Sequence, residues 1–108
     1  MSGVETSLPP VFAALGDDTR WSVLVRLGRG SASASELARE LPVSRQAIVK
    51  HLEALRAVGL VRAEKRGRAV VHEVDVVRLD EVGQGLRSIA AAWDRRLESI
   101  KKIAESQG

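Results

Sequence analysis

The sequence predicts a mainly helical domain with one small β-hairpin, in the order α-α-α-α-β-β-α. Three observations carry this reading. Apolar residues recur at helical spacing through the first sixty positions and again from about residue 77. Between those blocks, residues 60–65 and 69–74 form two short runs rich in β-branched residues. They flank Arg66-Gly67-Arg68, which has the composition of a hairpin turn. Finally, residues 33–60 read as two helices joined by a tight turn. A helix-turn-helix followed directly by a hairpin is a winged helix-turn-helix.

Taken in order, residues 1–7 are polar and expected to fray, leaving residues 1–8 flexible. Pro9 and Pro10 can open a first helix, because proline is tolerated in the first turn. Its apolar residues are Val11, Phe12 and Leu15, and Gly16 ends it. Asp17 is placed to cap a second helix, and Asp18 adds negative charge at the end where the helix dipole favours it. Trp21, Leu24, Val25 and Leu27 are expected to form its buried stripe, and the glycines at 28 and 30 close it.

The third helix covers residues 34–41, with Leu37, Ala38 and Leu41 on one face. Pro42 forbids its continuation. Ser44 is placed as the N-cap of a fourth helix, which runs to about Val58 and stops at Gly59. A last helix over residues 77–105 carries a continuous seam: Leu79, Val82, Leu86, Ile89, Trp93, Leu97, Ile100 and Ala104. Gly83 and Gly85 weaken its start, so a break there is compatible with the pattern. The last three residues are expected to be disordered.

The phase of the fourth helix points to DNA. At about 100° per residue, Ile48, Leu52 and Leu55 share one narrow stripe suited to a core. Gln46, Val49, Lys50 and Glu53 then point away from it, with Arg45 and Arg56 on one flank. Arginine suits the guanine edge and glutamine the adenine edge in the major groove, each through two hydrogen bonds. An ordinary amphipathic helix with a solvated face has the same phase, so the neighbouring charge matters. Residues 44–72 hold seven Lys or Arg against two Glu, an excess of +5. The chain as a whole carries +3, so the remainder sums to −2. A basic segment that coincides with the second helix of the motif is the footprint of a phosphate-binding face. The hairpin tip, Lys65-Arg66-Gly67-Arg68, places three cations around one glycine and can follow a phosphate backbone or enter a minor groove. Arg62 and His72 are further candidates.

Composition removes other classes. The chain has no cysteine, which excludes disulfides, thiolate metal sites and Cys nucleophiles. No run reaches the roughly 18 apolar residues needed to span a bilayer, and no signal-peptide core is visible, so a cytoplasmic location is expected. No Ser-His-Asp arrangement, carboxylate pair in an apolar setting or phosphate-cradling loop is present, so no catalytic residues and no enzyme activity are expected. At 108 residues the chain is expected to be one domain with one modest core. That core cannot bury the whole seam of the last helix, which suggests that residues 77–105 serve self-association. Trp93 would sit at its centre, and Ala90, Ala91 and Ala92 would allow close helix approach.

The residues resemble the ArsR/SmtB family of bacterial transcriptional repressors. The resemblance rests on Phe12-Ala13-Ala14-Leu15-Gly16-Asp17-Asp18-Thr19-Arg20, on Glu36-Leu37-Ala38, on residues 44–52 (SRQAIVKHL), and on Gly59-Leu60-Val61 with the Arg66-Gly67-Arg68 wing. It covers residues 10–105. It implies a homodimeric winged helix on double-stranded DNA, at an operator forming an imperfect palindrome, with the first and last helices as the dimer interface. Phe12, Leu86, Ile89, Trp93, Leu97 and Ile100 would lie in that interface. By position, it assigns Ser44, Arg45, Gln46, Val49, Lys50 and His51 to DNA contacts from the recognition helix, and Arg66 and Arg68 to the wing. Val49 stands where relatives carry a small hydroxyl residue, and an apolar contact to a thymine methyl could replace it. His51 also lies close to the core stripe, so a packing role stays open.

Family sensors carry Cys-x-Cys at the start of the motif's first helix, where this chain has Ser33-Ala34-Ser35. Others place Asp, His and Glu on the last helix, where this chain has Asp94 and Glu98 without a histidine. Soft-metal sensing needs thiolate or imidazole ligands. The expectation is therefore the metal-independent branch, with no metal, no cofactor and an unidentified inducer. A winged helix serving as a protein-interaction module, or a regulator of the MarR type, is the alternative. The basic face argues against the first, and the short chain against the second.

Overall fold

A computed structural model describes residues 3–107. The elements are α1 (Gly3–Leu15), α2 (Asp18–Leu27), β1 (Ala32–Ser33), α3 (Ala34–Glu40), α4 (Arg45–Ala57), β2 (Val61–Arg66), β3 (Ala69–Val74) and α5 (Val76–Gln107). The three strands form one antiparallel sheet in the order β1-β3-β2. The winged helix-turn-helix read from the sequence is therefore the observed fold, with an additional strand.

Local chemistry sets each boundary. The Asp17 carboxylate accepts from the Arg20 N–H at 2.9 Å and caps α2. Ser33 and Glu36 form a reciprocal capping box on α3, at 3.1 and 3.3 Å. Leu41, the residue before Pro42, is extended, and α3 ends there. Ser44 Oγ accepts from the Ala47 N–H at 3.1 Å and starts α4. At the other end of α4, Gly59 N–H donates to Arg56 O and Leu60 N–H to Leu55 O, both at 3.0 Å, with Gly59 at φ +79°. This is the paired C-terminal bonding of a Schellman motif, and Leu55 and Leu60 are both fully buried beneath it. Gly59→Ala forces a side chain into the left-handed region and against Arg78 at 3.4 Å. We expect a loss of about 1–2 kcal/mol, read as a lower melting temperature of the variant.

The core gathers Val11, Val23, Leu27, Ala32, Leu37, Ile48, Leu52, Leu55, Leu60 and Val61, so every element but β3 and α5 supplies a central residue. Helix α5 contributes Val82, and Asp75 begins it by accepting from the Arg78 N–H at 3.1 Å. The Arg78 side chain donates to Val58 O at 3.1 Å, tying α5 to the end of α4.

Four expectations are corrected. Helix α1 begins at Gly3 rather than at Pro9, and Leu8 is buried against the core. Pro9 and Pro10 stand inside it; Met1 and Ser2 lie outside the described residues. Helix α5 runs unbroken through Gly83 and Gly85 and continues to Gln107, with Gly108 outside the described residues. Strand β1 has no signature of its own: it is two residues that pair Ala32 with His72 and Ser33 with Val71. Trp21 and Val25 are not core residues, being 54% and 52% exposed. They lie four residues apart on one face of α2, whereas Val23, Leu24 and Leu27 take the inward face.

Candidate DNA-binding surface

Helices α3 and α4 pack on one another through Leu37, Ile48 and Leu52, and this sets the outward face of α4. Gln46, Lys50 and Glu53 are exposed on that face, and Arg45 is exposed on its flank. Ser44 sits at its N-terminal edge with its hydroxyl engaged in the cap. Arg45 Nε donates to Ser35 Oγ at 3.2 Å, which aims its guanidinium along the start of the helix. Among the described residues no carboxylate lies within ion-pair distance of Arg45 or Lys50.

Two residues of the recognition helix sit differently from the sequence reading. Val49 is partly buried and packs on the core rather than standing opposite it. His51 is drawn toward α2: its Nδ1 accepts from Arg20 Nε at 3.3 Å, and its Nε2 lies 3.9 Å from Asp17 Oδ1. Arg20 also donates to Ala14 O at 3.0 Å, so one guanidinium joins the end of α1 to the recognition helix. The Asp17 carboxyl is held below the ordinary carboxylate range, chiefly by the Arg20 N–H bond, with His51 and the Arg20 charge adding to it. Sequence reasoning missed this network, because residues 20 and 51 share no local pattern.

The wing is a regular hairpin with Arg66 opposite Ala69 across the two-residue turn Gly67-Arg68. Gly67 has φ +63°, a positive value at the first turn position, where a type II′ turn favours glycine. Lys65, Arg66 and Arg68 are exposed, and Arg66 reaches Glu64 at 3.1 Å. Arg62 pairs with Glu73 on the neighbouring strand at 3.1 Å. A cleft of about 590 Å³ separates α4 from β2, with Arg56 and Arg62 on its walls.

His72 is corrected as a candidate contact. It is buried on β3 between Ala32 and Ala63, and its Nδ1 has no hydrogen-bond partner among the described residues. Burial, aided by the nearby Arg56 charge, pushes its pKa below the ordinary value of 6.5. Between the folded and unfolded values the unfolded chain binds the extra proton. The neutral ring's contribution is therefore complete above about pH 6.5 and declines as pH falls below it. We expect the melting temperature to drop between pH 7 and pH 5, and the drop to be smaller in His72→Val. Equal slopes in the two proteins would remove His72 from this account.

Among the described residues no three His, Asp or Glu side chains gather as they would around a metal ion, and no helix is long and apolar enough to cross a membrane.

A recognition helix with an exposed polar face, seated beside a basic wing, defines a winged helix-turn-helix DNA-binding domain. Known proteins agree. Residues 15–64 match the helix-turn-helix domain family. The HTH-type transcriptional regulator Rv2034 of Mycobacterium tuberculosis is 35% identical over 97 residues, covering 90% of this chain and 88% of that protein. The structure of an ArsR-like transcriptional regulator from Rhodococcus sp. RHA1 superposes with a TM-score of 0.87 at 51% identity, over 95% of this chain and 97% of that one. The homodimeric winged helix-turn-helix DNA-binding domain of Mb0332 from Mycobacterium bovis shares the fold, with a TM-score of 0.63 at 24% identity over 77% and 80% of the two chains. The chain belongs to the ArsR family of winged helix-turn-helix transcriptional regulators.

Proposed function

We propose that the protein is a homodimeric, sequence-specific repressor that acts in the cytoplasm and does not sense a metal. The observation that carries the DNA-reading part is the face of α4. Gln46 and Lys50 stand exposed one turn apart, Arg45 is exposed on the flank at the helix start, and the wing adds the exposed cations Arg66 and Arg68. Ser44 completes the set at the helix start, and Val49 offers only its outer edge to a thymine methyl. The inward ties of His51 take it out of the contact set and make it a brace for the helix.

The dimer rests on exposed apolar surface. Phe12, Leu86, Ile89, Trp93, Leu97 and Ile100 are each between 43% and 57% exposed, and five of them follow one stripe along α5. A contiguous stripe of this kind marks an association surface. The Mb0332 domain of the same fold, described as homodimeric, is in keeping with it. Two recognition helices would then lie about 34–36 Å apart and read an imperfect palindrome. The metal-independent reading rests on donor chemistry. Ser33, at the position of a family thiolate, spends its hydroxyl on the α3 cap, and α5 carries no histidine.

The test is binding of the purified protein to DNA from upstream of its own gene and to a scrambled duplex, over a salt series. A preference of about a thousandfold, with affinity falling steeply as salt rises, is expected. Equal binding to both duplexes would leave only a non-specific basic surface. In the same assay Gln46→Ala should cost about 1–3 kcal/mol and relax the preference at one base pair per half-site. Unchanged affinity would mean that another face of α4 reads the bases.

A further inference from the structure

The Arg20 guanidinium holds two elements at once. Its Nη1 donates to Ala14 O at 3.0 Å in the last turn of α1, and its Nε donates to His51 Nδ1 at 3.3 Å on α4. Its backbone N–H is engaged in the Asp17 cap. Among the described residues no carboxylate lies within ion-pair distance of this guanidinium, so its partners are a carbonyl and an imidazole. We infer that Arg20 is a positioning residue for base readout: acting through His51, it sets the rotation of the recognition helix about its own axis. This rests on the DNA reading proposed above and adds a residue that touches no base.

The place of His51 on α4 gives the tie its leverage. It follows Lys50 by one residue, about 100° round the helix, on the flank between the exposed face and the buried stripe of Ile48, Leu52 and Leu55. Moving His51 toward or away from α2 turns Gln46 and Lys50 with it. The ties of Arg45 to Ser35 and of Arg78 to Val58 O lie at the two ends of α4 instead.

The shape of the group makes the tie rigid. The donors of an arginine share one plane and point in fixed directions, whereas a lysine ammonium is a rotatable point charge. The fork therefore fixes the separation between the end of α1 and the middle of α4. Ala14 O is one of the carbonyls that a helix end leaves without an intrahelical partner, so the far side of the fork is held as well.

The contact also fixes the imidazole. An Nδ1 that accepts from Arg20 carries no proton, which places the ring proton on Nε2, 3.9 Å from Asp17 Oδ1. The His51 side chain is turned toward α2 and only 15% exposed. Base-edge bonds tolerate a misalignment of only about 10–20°, whereas phosphate contacts hold the protein without reading sequence. Loss of the fork should therefore lower the preference for operator and leave binding to other DNA unchanged. Trp21, the next residue, faces an apolar hollow of about 660 Å³ between α1, α2 and α5, so Arg20 can be changed without altering that surface.

The test compares wild type with Arg20→Lys, His51→Leu and His51→Asn on the upstream and scrambled duplexes, over a salt series and below each melting temperature. Arg20→Lys keeps the charge and loses the fork; His51→Asn keeps an acceptor near the place of Nδ1. Arg20→Lys and His51→Leu should each lower the preference about tenfold or more at an unchanged salt slope, and His51→Asn should retain it. Nitrogen NMR of histidine-labelled wild type should show His51 unprotonated at Nδ1. Wild-type preference in Arg20→Lys, equal losses in both His51 variants, or a proton on Nδ1 would overturn the inference and leave the DNA reading standing. A lower salt slope with weaker binding to both duplexes would make Arg20 a phosphate contact, which also overturns it. A wild type without preference would overturn both.

Discussion

Trp93→Glu is expected to yield a folded monomer whose operator affinity is lower by about 10²–10⁴-fold. The indole lies on α5 and is 54% exposed, with the Arg96 guanidinium over its ring at 4.8 Å. Because Trp93 and every other residue from 86 to 106 are exposed, the substitution removes no core residue and should leave the winged helix intact. In the proposed dimer seam the same substitution would place two carboxylates among apolar side chains. Like charges taken out of water there are costly, and they appear in both copies at once. The affinity loss follows from geometry. With two half-sites joined, the second recognition helix binds from an effective concentration set by the first, and separation forfeits that gain of about 10²–10⁴. Light scattering at micromolar concentration and a titration of operator DNA check the two halves of the prediction. A variant that stays dimeric would place the interface elsewhere, and a monomer with undiminished affinity would break the link between dimer and operator.

The sequence was legible where structure is set by neighbours in the chain. Asp17 and Ser44 cap the helices they precede, Pro42 and Gly59 end the helices they follow, and Gly67 turns the hairpin. Each acts within a few residues, so pattern reading finds it. The exposed row on α4 was legible for the same reason, since helical phase alone separates Gln46 and Lys50 from Ile48 and Leu52. What was not legible depends on distant partners. Strand β1 exists because β3 offers an edge to Ala32 and Ser33. Arg20 meets His51 only once α2 and α4 are packed. Trp21 misled because a large apolar residue in an amphipathic helix usually faces its own core, and here it faces a hollow instead. Val49 erred in the opposite sense, because a stripe assigned from phase alone is narrower than the surface the packed core covers. His72 was a candidate contact and is buried instead, because alternation along a strand does not say which face the rest of the chain covers.

Leu37→Ala is expected to cost about 2–5 kcal/mol, a large share of the roughly 5–15 kcal/mol that holds a small domain together. Leu37 is fully buried where α3 meets α4, in one cluster with Ile48, Leu52 and Leu55. Truncation loses the transfer free energy of the removed methyl groups and leaves a cavity. Helix α3 is seven residues long, pinned at one end by its capping box and at the other by Pro42, and so has little freedom to collapse inward. The melting temperature should fall by about 10–25 °C at fixed protein concentration, since a dimer's melting point also moves with concentration. Operator affinity measured well below that melting point separates two roles for the residue. If Leu37 only supplies stability, the folded fraction binds as wild type does. If it also sets the angle between α3 and α4, affinity falls in the folded protein too, because the exposed face of α4 that carries Gln46 and Lys50 would no longer lie along the proposed groove. A melting temperature within a few degrees of wild type would mean that the helix-turn-helix closes over the gap. The buried seam between α3 and α4 would then not be what fixes the recognition helix, leaving that task to the Arg20–His51 bond and the Arg78 tie to Val58.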